Sequence, residues 1–360
     1  MIIDMTRVLV IALGAATLAP AGLAGQTVSL SPAVDGVRDD IPATHLRWTV
    51  EGVAQPFSWL YLMLGGRSLT VEQEPAQGLG RFEESLESGF GEAAALVGNG
   101  ALVFRTGLNR TADGDTDTEY LARGQYAFLS GSDPRAMTTT TFTVEAARAR
   151  EVTVAMAIAE RITYDRISGG LDVRTGEGVS VSARLNHARY SDDNRKTDGH
   201  AYGLVRVVNQ PEVSFGYAYA FADTEIDHWR ATGSTLVDPA AGVYEYHYFH
   251  YPYFTPVAER GHLGLAVFQW SSEGGSMLSA SAHIPLYSRG QLRAVPRWGT
   301  TEEPPPPYGY YTATGILPLE ARVGASLRVL SWLTARARYE FLRKPYYSYQ
   351  AGGVSLQFTF

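Results

Sequence analysis

The sequence predicts an all-β fold, a transmembrane antiparallel up-and-down β-barrel of about 16 strands. Three observations predict it: apolar and polar residues alternate along most of the chain, the alternating segments are long, and the chain ends an alternating strand on Phe360. Alternation is the period of a strand whose successive side chains point to opposite faces. A soluble β-sandwich alternates too, so length and spacing tilt the choice. These segments run about 10 to 14 residues, enough for a tilted strand to cross a bilayer, against about 5 to 6 in ordinary strands.

Composition removes other classes. Of 360 residues 45% are hydrophobic and 37 are glycines with no three-residue period, which excludes disordered and collagen-like chains. Net charge is −7 and only Lys196 and Lys344 are lysines, so no basic track for nucleic acid exists. With no cysteine there is no disulfide framework, thiolate metal site or cysteine nucleophile.

Taken in order, the first segment carries Arg7, the apolar run Val8–Leu18, Pro20 and small residues to Gly25, the pattern of a secretory signal spanning 1–24 and cut after Ala24, with a cut after Ala21 as the alternative. Residues 25–42 read as a short periplasmic segment and 43–360 as the barrel. The predicted strands are 43–53, 57–72, 76–89, 95–109, 118–130, 136–148, 151–162, 165–174, 178–190, 198–209, 211–224, 258–270, 275–290, 308–328, 332–343 and 347–360. The clearest are Val354, Leu356 and Phe358 against Ser355, Gln357 and Thr359; Val323 and Leu327 against Arg322 and Arg328; and Val181 and Leu185 against Ser182 and Arg184. Tight links at Leu330-Ser331, Glu273-Gly274-Gly275, Asn209-Gln210-Pro211, Thr175-Gly176-Glu177 and Ala149-Arg150 are assigned to the periplasmic end. Longer links at 131–135, 191–197, 223–257, 288–307 and 344–345 are assigned outside, the usual asymmetry of such barrels. Segment 76–89 alternates poorly and the link Thr111–Asp117 is long for a periplasmic turn, which leaves 14 or 18 strands open.

In this phasing the polar faces line a lumen, and a barrel of 16 to 18 strands leaves an aqueous channel unless something fills it. The candidate lining residues are Arg105, Arg123, Arg161, Arg184, Arg322, Arg328, Arg336 and Arg338 with Glu119, Glu145 and Glu340. One reading is a mild preference for anionic solutes, because like charge on low-dielectric walls focuses the field. The other is a cross-strand ladder of ion pairs that keeps the wall rigid. Candidate rim aromatics are Tyr244, Tyr246, Tyr248, Tyr251, Tyr253, Tyr310 and Tyr311, which suit a membrane-interface girdle or, with Glu245, His247 and His250, rings stacked on sugars at the pore mouth. Asp113, Asp115, Asp117 and Glu119 lack the glycine position and distal glutamate of a calcium loop, and His247-x-x-His250 lacks a third ligand nearby. No metal or cofactor is expected. His283 shares a face with Ser279 and Ser281, but no Gly-x-Ser-x-Gly turn occurs, and the chain is read as not an enzyme.

The run from Arg184 to Phe360 resembles the C-terminal barrel of exopolysaccharide-export outer-membrane proteins, the family of the cellulose and poly-N-acetylglucosamine export porins. The residues that carry it are Arg189-Tyr190-Ser191-Asp192-Asp193-Asn194-Arg195, Tyr253-Phe254-Thr255-Pro256 and Tyr310-Tyr311-Thr312-Ala313. Such proteins carry a long helical-repeat region ahead of the barrel, for which residues 26–42 are too short, and Val257 stands where a glutamine is typical. The expectation is therefore a bacterial outer-membrane pore, a passive channel for hydrophilic solutes or part of a polysaccharide-export machinery. A lipid- or peptide-hydrolysing barrel and a structural or adhesive barrel are the alternatives. Expected partners are outer-membrane lipid, the barrel-assembly machinery during insertion and polysaccharide, and no nucleic acid.

Overall fold

A computed structural model of the chain describes residues 28–39, 43–73, 82–131, 137–152, 157–158, 160–225, 230–238, 243–249, 256–292, 319–344 and 347–359. Its strands are β1 (Val28–Asp39), β2 (Ala43–Phe57), β3 (Leu60–Gln73), β4 (Phe82–Val97), β5 (Gly100–Thr111), β6 (Thr116–Ser130), β7 (Thr138–Arg150), β8 (Thr163–Thr175) and β9 (Val179–Tyr190). They continue with β10 (Arg195–Asn209), β11 (Glu212–Thr224), β12 (Arg230–Asp238), β13 (Val243–Phe249), β14 (Pro256–Ser271), β15 (Met277–Leu292), β16 (Leu319–Leu330), β17 (Leu333–Lys344) and β18 (Tyr347–Thr359). Sixteen of them form one closed barrel in sequence order, in which β14 follows β11 and β18 pairs with β1; β12 and β13 form a separate two-stranded sheet between β11 and β14. All pairings are antiparallel, and the closing seam runs from Ser29 opposite Thr359 to Asp39 opposite Tyr349. Closure leaves the barrel no free edge, which is what backbone amides in hydrocarbon require.

The barrel is inside-out relative to a soluble protein. Leu62, Leu102, Phe104, Leu108, Val144, Ile167, Val181, Leu185, Phe215, Val323, Leu327 and Val354 are all exposed on its outer face. A contiguous apolar belt of this kind is far larger than soluble monomers display, and lipid is the medium that satisfies it. Aromatic clusters flank the belt. At the end with short turns, Phe57 stacks on Trp59, Trp332 on Phe358, and Tyr126, Phe128 and Phe142 meet edge to face. Towards the other end Tyr217, Tyr219 and Tyr287 gather around His262. Two girdles astride an aliphatic band are what bilayer interfaces favour, since a ring sits in the apolar edge with its polar atoms wet.

Two predicted boundaries are corrected, and they compensate. Residues 28–39, assigned to a periplasmic segment, are a strand that closes the barrel. Residues 151–162, predicted as a strand, carry none among the described residues; Ala157 and Ile158 are helical and the segment links β7 to β8. The total of 16 is unchanged, but the strands from 43 to 148 run opposite to the predicted direction. The link at residues 131–137 therefore lies at the tight-turn end, and the link around Asp113 at the long-loop end, which is why its length broke the expected pattern. The tight-turn end also holds Gly98 and Gly275, whose φ of 58° and 82° lie in the left-handed region open to glycine.

Because Leu185 sits mid-strand on the outer face at 53% exposure, Leu185→Arg is expected to destabilise the membrane-inserted barrel by about 2–4 kcal/mol. Ser182→Ala, on the inner face of the same strand, should cost under about 1 kcal/mol. Urea unfolding in liposomes measures both.

Candidate pore lumen

The inner face divides into a cross-linked wall and an open one. The cross-linked wall spans β3 to β9. Arg67 pairs with Glu119 at 3.0 Å and Arg105 with Glu92 at 2.9 Å, while the Arg105 guanidinium also lies 4.9 Å from the centre of the Phe90 ring. The Ser88 hydroxyl donates to Asn109 Oδ1 at 2.6 Å, and the Asn109 amide donates to Asp117 at 2.8 Å. Glu145, its side chain 1% exposed, takes three guanidiniums: Arg123 at 2.6 Å, Arg166 at 2.7 Å and Arg184 at 3.6 Å. Charged hydrogen bonds of this length are the strong kind, and they cross strand boundaries, so they brace the wall against shear. Phe90 also lies so close over Gly65 that a Cβ there would sit 2.4 Å from its ring, a close approach that only glycine permits.

Next to this wall, described residues of the β7–β8 link fold inward. Ile158 is fully buried against the inward-facing Leu69, Val71 and Leu86, with Val152 packed alongside. Ala157 and Ile162 are buried with Ala188 and Tyr190, flanked by Tyr164. The long-loop end of this half of the lumen is thus filled by an apolar cluster of the kind found in soluble cores. Its anchors are ionic: Arg150 pairs with Asp117, and Arg161, at a φ of 60°, pairs with Asp115 and reaches Asp113 at 3.6 Å. The Thr111 hydroxyl donates to Asp113 and holds its carboxyl below the usual carboxylate range. All four acids weighed for a cation therefore have basic partners, Glu119 through Arg67.

The Arg189–Arg195 motif lies in the turn from β9 to β10. Tyr190 N donates to Asn194 O, Asp193 N to Tyr190 O, and Arg195 N to Asn194 Oδ1, while Ser191 exchanges hydrogen bonds with Thr163. In this chain the motif builds a tight turn that places Tyr190 against the inward-folded segment.

The open wall comprises β14 to β18 and β1 to β3. Two adjoining voids of about 570 Å3 and 650 Å3 lie against it and share Asp35, Arg47, Ser279, Gly324 and Arg338. Arg338 pairs with Asp35 across the seam at 2.8 Å, Arg336 donates to the neutral Gln357 at 2.7 Å, and Arg322 pairs with Glu320 and reaches Glu340 at 3.4 Å. Asp35 in turn rests where a Cβ on Gly353 would stand. His283 Nδ1 faces Glu320 at 3.3 Å, while Ser279 donates to the Gly324 carbonyl, so the serine and histidine weighed for hydrolysis are each engaged elsewhere.

Ten of the eleven predicted lining residues lie at inner-face positions of barrel strands, Arg328 among them at the tight-turn end of β16, where it donates to the Ser331 carbonyl. Arg161 instead lies in the β7–β8 link. Of the predicted rim tyrosines, Tyr244, Tyr246 and Tyr248 fall on β13, whose side chains are outside the described residues, as are Tyr251, Tyr253, Tyr310 and Tyr311 altogether. The girdles described above arise from other aromatics. Sequence reasoning missed Asp35, Arg47, Arg67, Phe90, Glu92, Arg166 and Glu320. Arg47 and Arg67 lie in predicted strands and were within reach of the alternation; Asp35 was lost with its strand.

No family model matches the chain, and no curated protein matches it. Among solved structures it is similar to a bacterial polysaccharide outer-membrane secretin, with 12% identity, a TM-score of 0.61, and 93% of this chain and 98% of that one covered. It also aligns with OccK9 of Pseudomonas aeruginosa, at 12% identity and a TM-score of 0.44 over 94% of this chain and 98% of that one. OccK7 of the same organism aligns at 10% identity and 0.43 over 93% and 98%. The first of these likenesses shows a shared barrel fold.

Glu145→Gln is expected to cost about 3 kcal/mol, since three guanidiniums would lose their common carboxylate, and the loss should appear in denaturant unfolding of the detergent-folded barrel. Ile158→Asp places an unpaired charge in the apolar seat at a cost of about 2 kcal/mol or more, a factor of about 30 in occupancy of the inward position. Single-channel conductance of that variant should exceed the wild-type value.

Proposed function

We propose that the chain is a pore of the bacterial outer membrane that passes hydrophilic solutes passively. The observation that carries this reading is the pair of adjoining voids, with arginine, carboxylate and serine side chains in their walls, inside a closed barrel whose outer face is an apolar belt. The route follows the open wall, because the inward-folded segment and the ion-pair ladder occupy the other side. Selection would come from the narrowest ring and its charges rather than from any chemical step. The expected signal cut after Ala24 would leave three residues ahead of Val28, in keeping with a chain exported before insertion.

Service in polysaccharide export is the second reading. It is favoured by the resemblance of residues 184–360 to the exopolysaccharide-export barrels and by the fold likeness to a polysaccharide secretin. The fold likeness to a secretin also supports a pore over a hydrolase.

Purified protein in planar lipid bilayers is expected to conduct in discrete steps with weak anion preference. Silent bilayers from correctly folded protein would overturn the pore, and passage of glucan oligomers into proteoliposomes at rates matching small sugars would favour the export reading.

A further inference from the structure

The open wall carries a local charge imbalance that its own ion pairs do not cancel. The smaller void is lined by five arginines, Arg47, Arg67, Arg105, Arg336 and Arg338, against two acids, Asp35 and Glu51. Arg67 and Arg105 are matched by Glu119 and Glu92, and Arg338 by Asp35. Among the described residues Arg336 has only the neutral Gln357 amide as a partner, and the buried Nε of Arg47 has no hydrogen-bond partner. Among the same residues neither guanidinium has a carboxylate in an ion pair, so an anion entering the void meets positive charge that no salt bridge neutralises.

We infer that this void is a binding site for a carboxylate-bearing sugar, a uronic acid residue, held by Arg47 and Arg336. The inference rests on the pore reading for its access route. Two properties select this ligand class. Forked guanidinium donors match the two oxygens of a planar carboxylate better than they match a spherical ion. The rest of the lining supplies hydroxyls, from Ser31, Thr49, Ser279, Ser326 and Ser355, which suit the hydroxyl groups of a sugar ring. The volume of about 570 Å3 falls within the range of small-molecule sites, roughly 300 to 1,000 Å3. Because the site sits in the wall of the route, binding would slow a passing acidic sugar relative to a neutral one.

The test uses glucuronate and glucose as probes, with calorimetry on the detergent-folded full chain beside current block in planar bilayers. Glucuronate is expected to bind and to reduce the open-pore current, glucose to do neither, and Arg47→Gln to weaken glucuronate binding at least about tenfold, the loss of one charged hydrogen bond. Arg336→Gln, which removes a guanidinium bonded only to Gln357, gives the same readout should the first variant not fold, and heat-modifiable migration on gels checks folding. Glucose binding as tightly as glucuronate, no glucuronate binding, or either folded variant binding like the wild type would overturn the site. Conductance without glucuronate binding refutes the site and leaves the pore, whereas calorimetric binding with silent bilayers refutes the pore and leaves the pocket.

Discussion

Within a hydrocarbon slab no water is present to receive a backbone N–H or C=O, so each must find a partner in the chain itself. This constraint governs the rest of the architecture. It demands that β1 meet β18, although 303 residues separate Asp35 from the Arg338 that latches the seam. It sets strand length and forces the inside-out polarity, since a wall one strand thick exposes every other residue to lipid and the remainder to the lumen. Charges thereby gather on the inner face, where they can pair with one another.

The lumen shows two ways of living with those charges. Along β3 to β9 they are neutralised in place, most completely at Glu145, and the wall becomes a stiff lattice. Along β14 to β18 and β1 to β3 the positive charges outnumber their partners, and void takes the place of side chains. Of the two readings that the alternation leaves open, the ladder of ion pairs is present along one side of the interior; the anion-favouring passage proposed above rests on the arginines that face void on the other.

The fold class was legible because lipid enforces alternation on nearly every strand, and the described barrel strands of the C-terminal half, with bold patterns such as Val354, Leu356 and Phe358, were phased correctly. Residues 28–39 were obscured by Pro32 and by the small residues Ala33 and Gly36, which weaken the contrast between the two faces. The opposite error arose at 151–162, where Val152, Val154, Met156 and Ile158 alternate as a strand would but Ile158 answers to an apolar seat inside the barrel. Period alone does not say whether oil lies outside the wall or a greasy cluster lies within it. The individual arginines were visible; their division between paired and unpaired was not, because it depends on neighbours such as Glu92 and Gln357 that only registration brings together.

The seat of Ile158 against Leu69, Val71 and Leu86 has a thermal corollary. Its cohesion comes from apolar surface withheld from water, a force that near room temperature is almost wholly entropic and fades on cooling. The salt-bridged lattice beside it is held by charged hydrogen bonds and not by that force. Chilling should therefore loosen the inward-folded residues before the surrounding wall softens, making the barrel leakier in the cold than its mechanical rigidity would suggest.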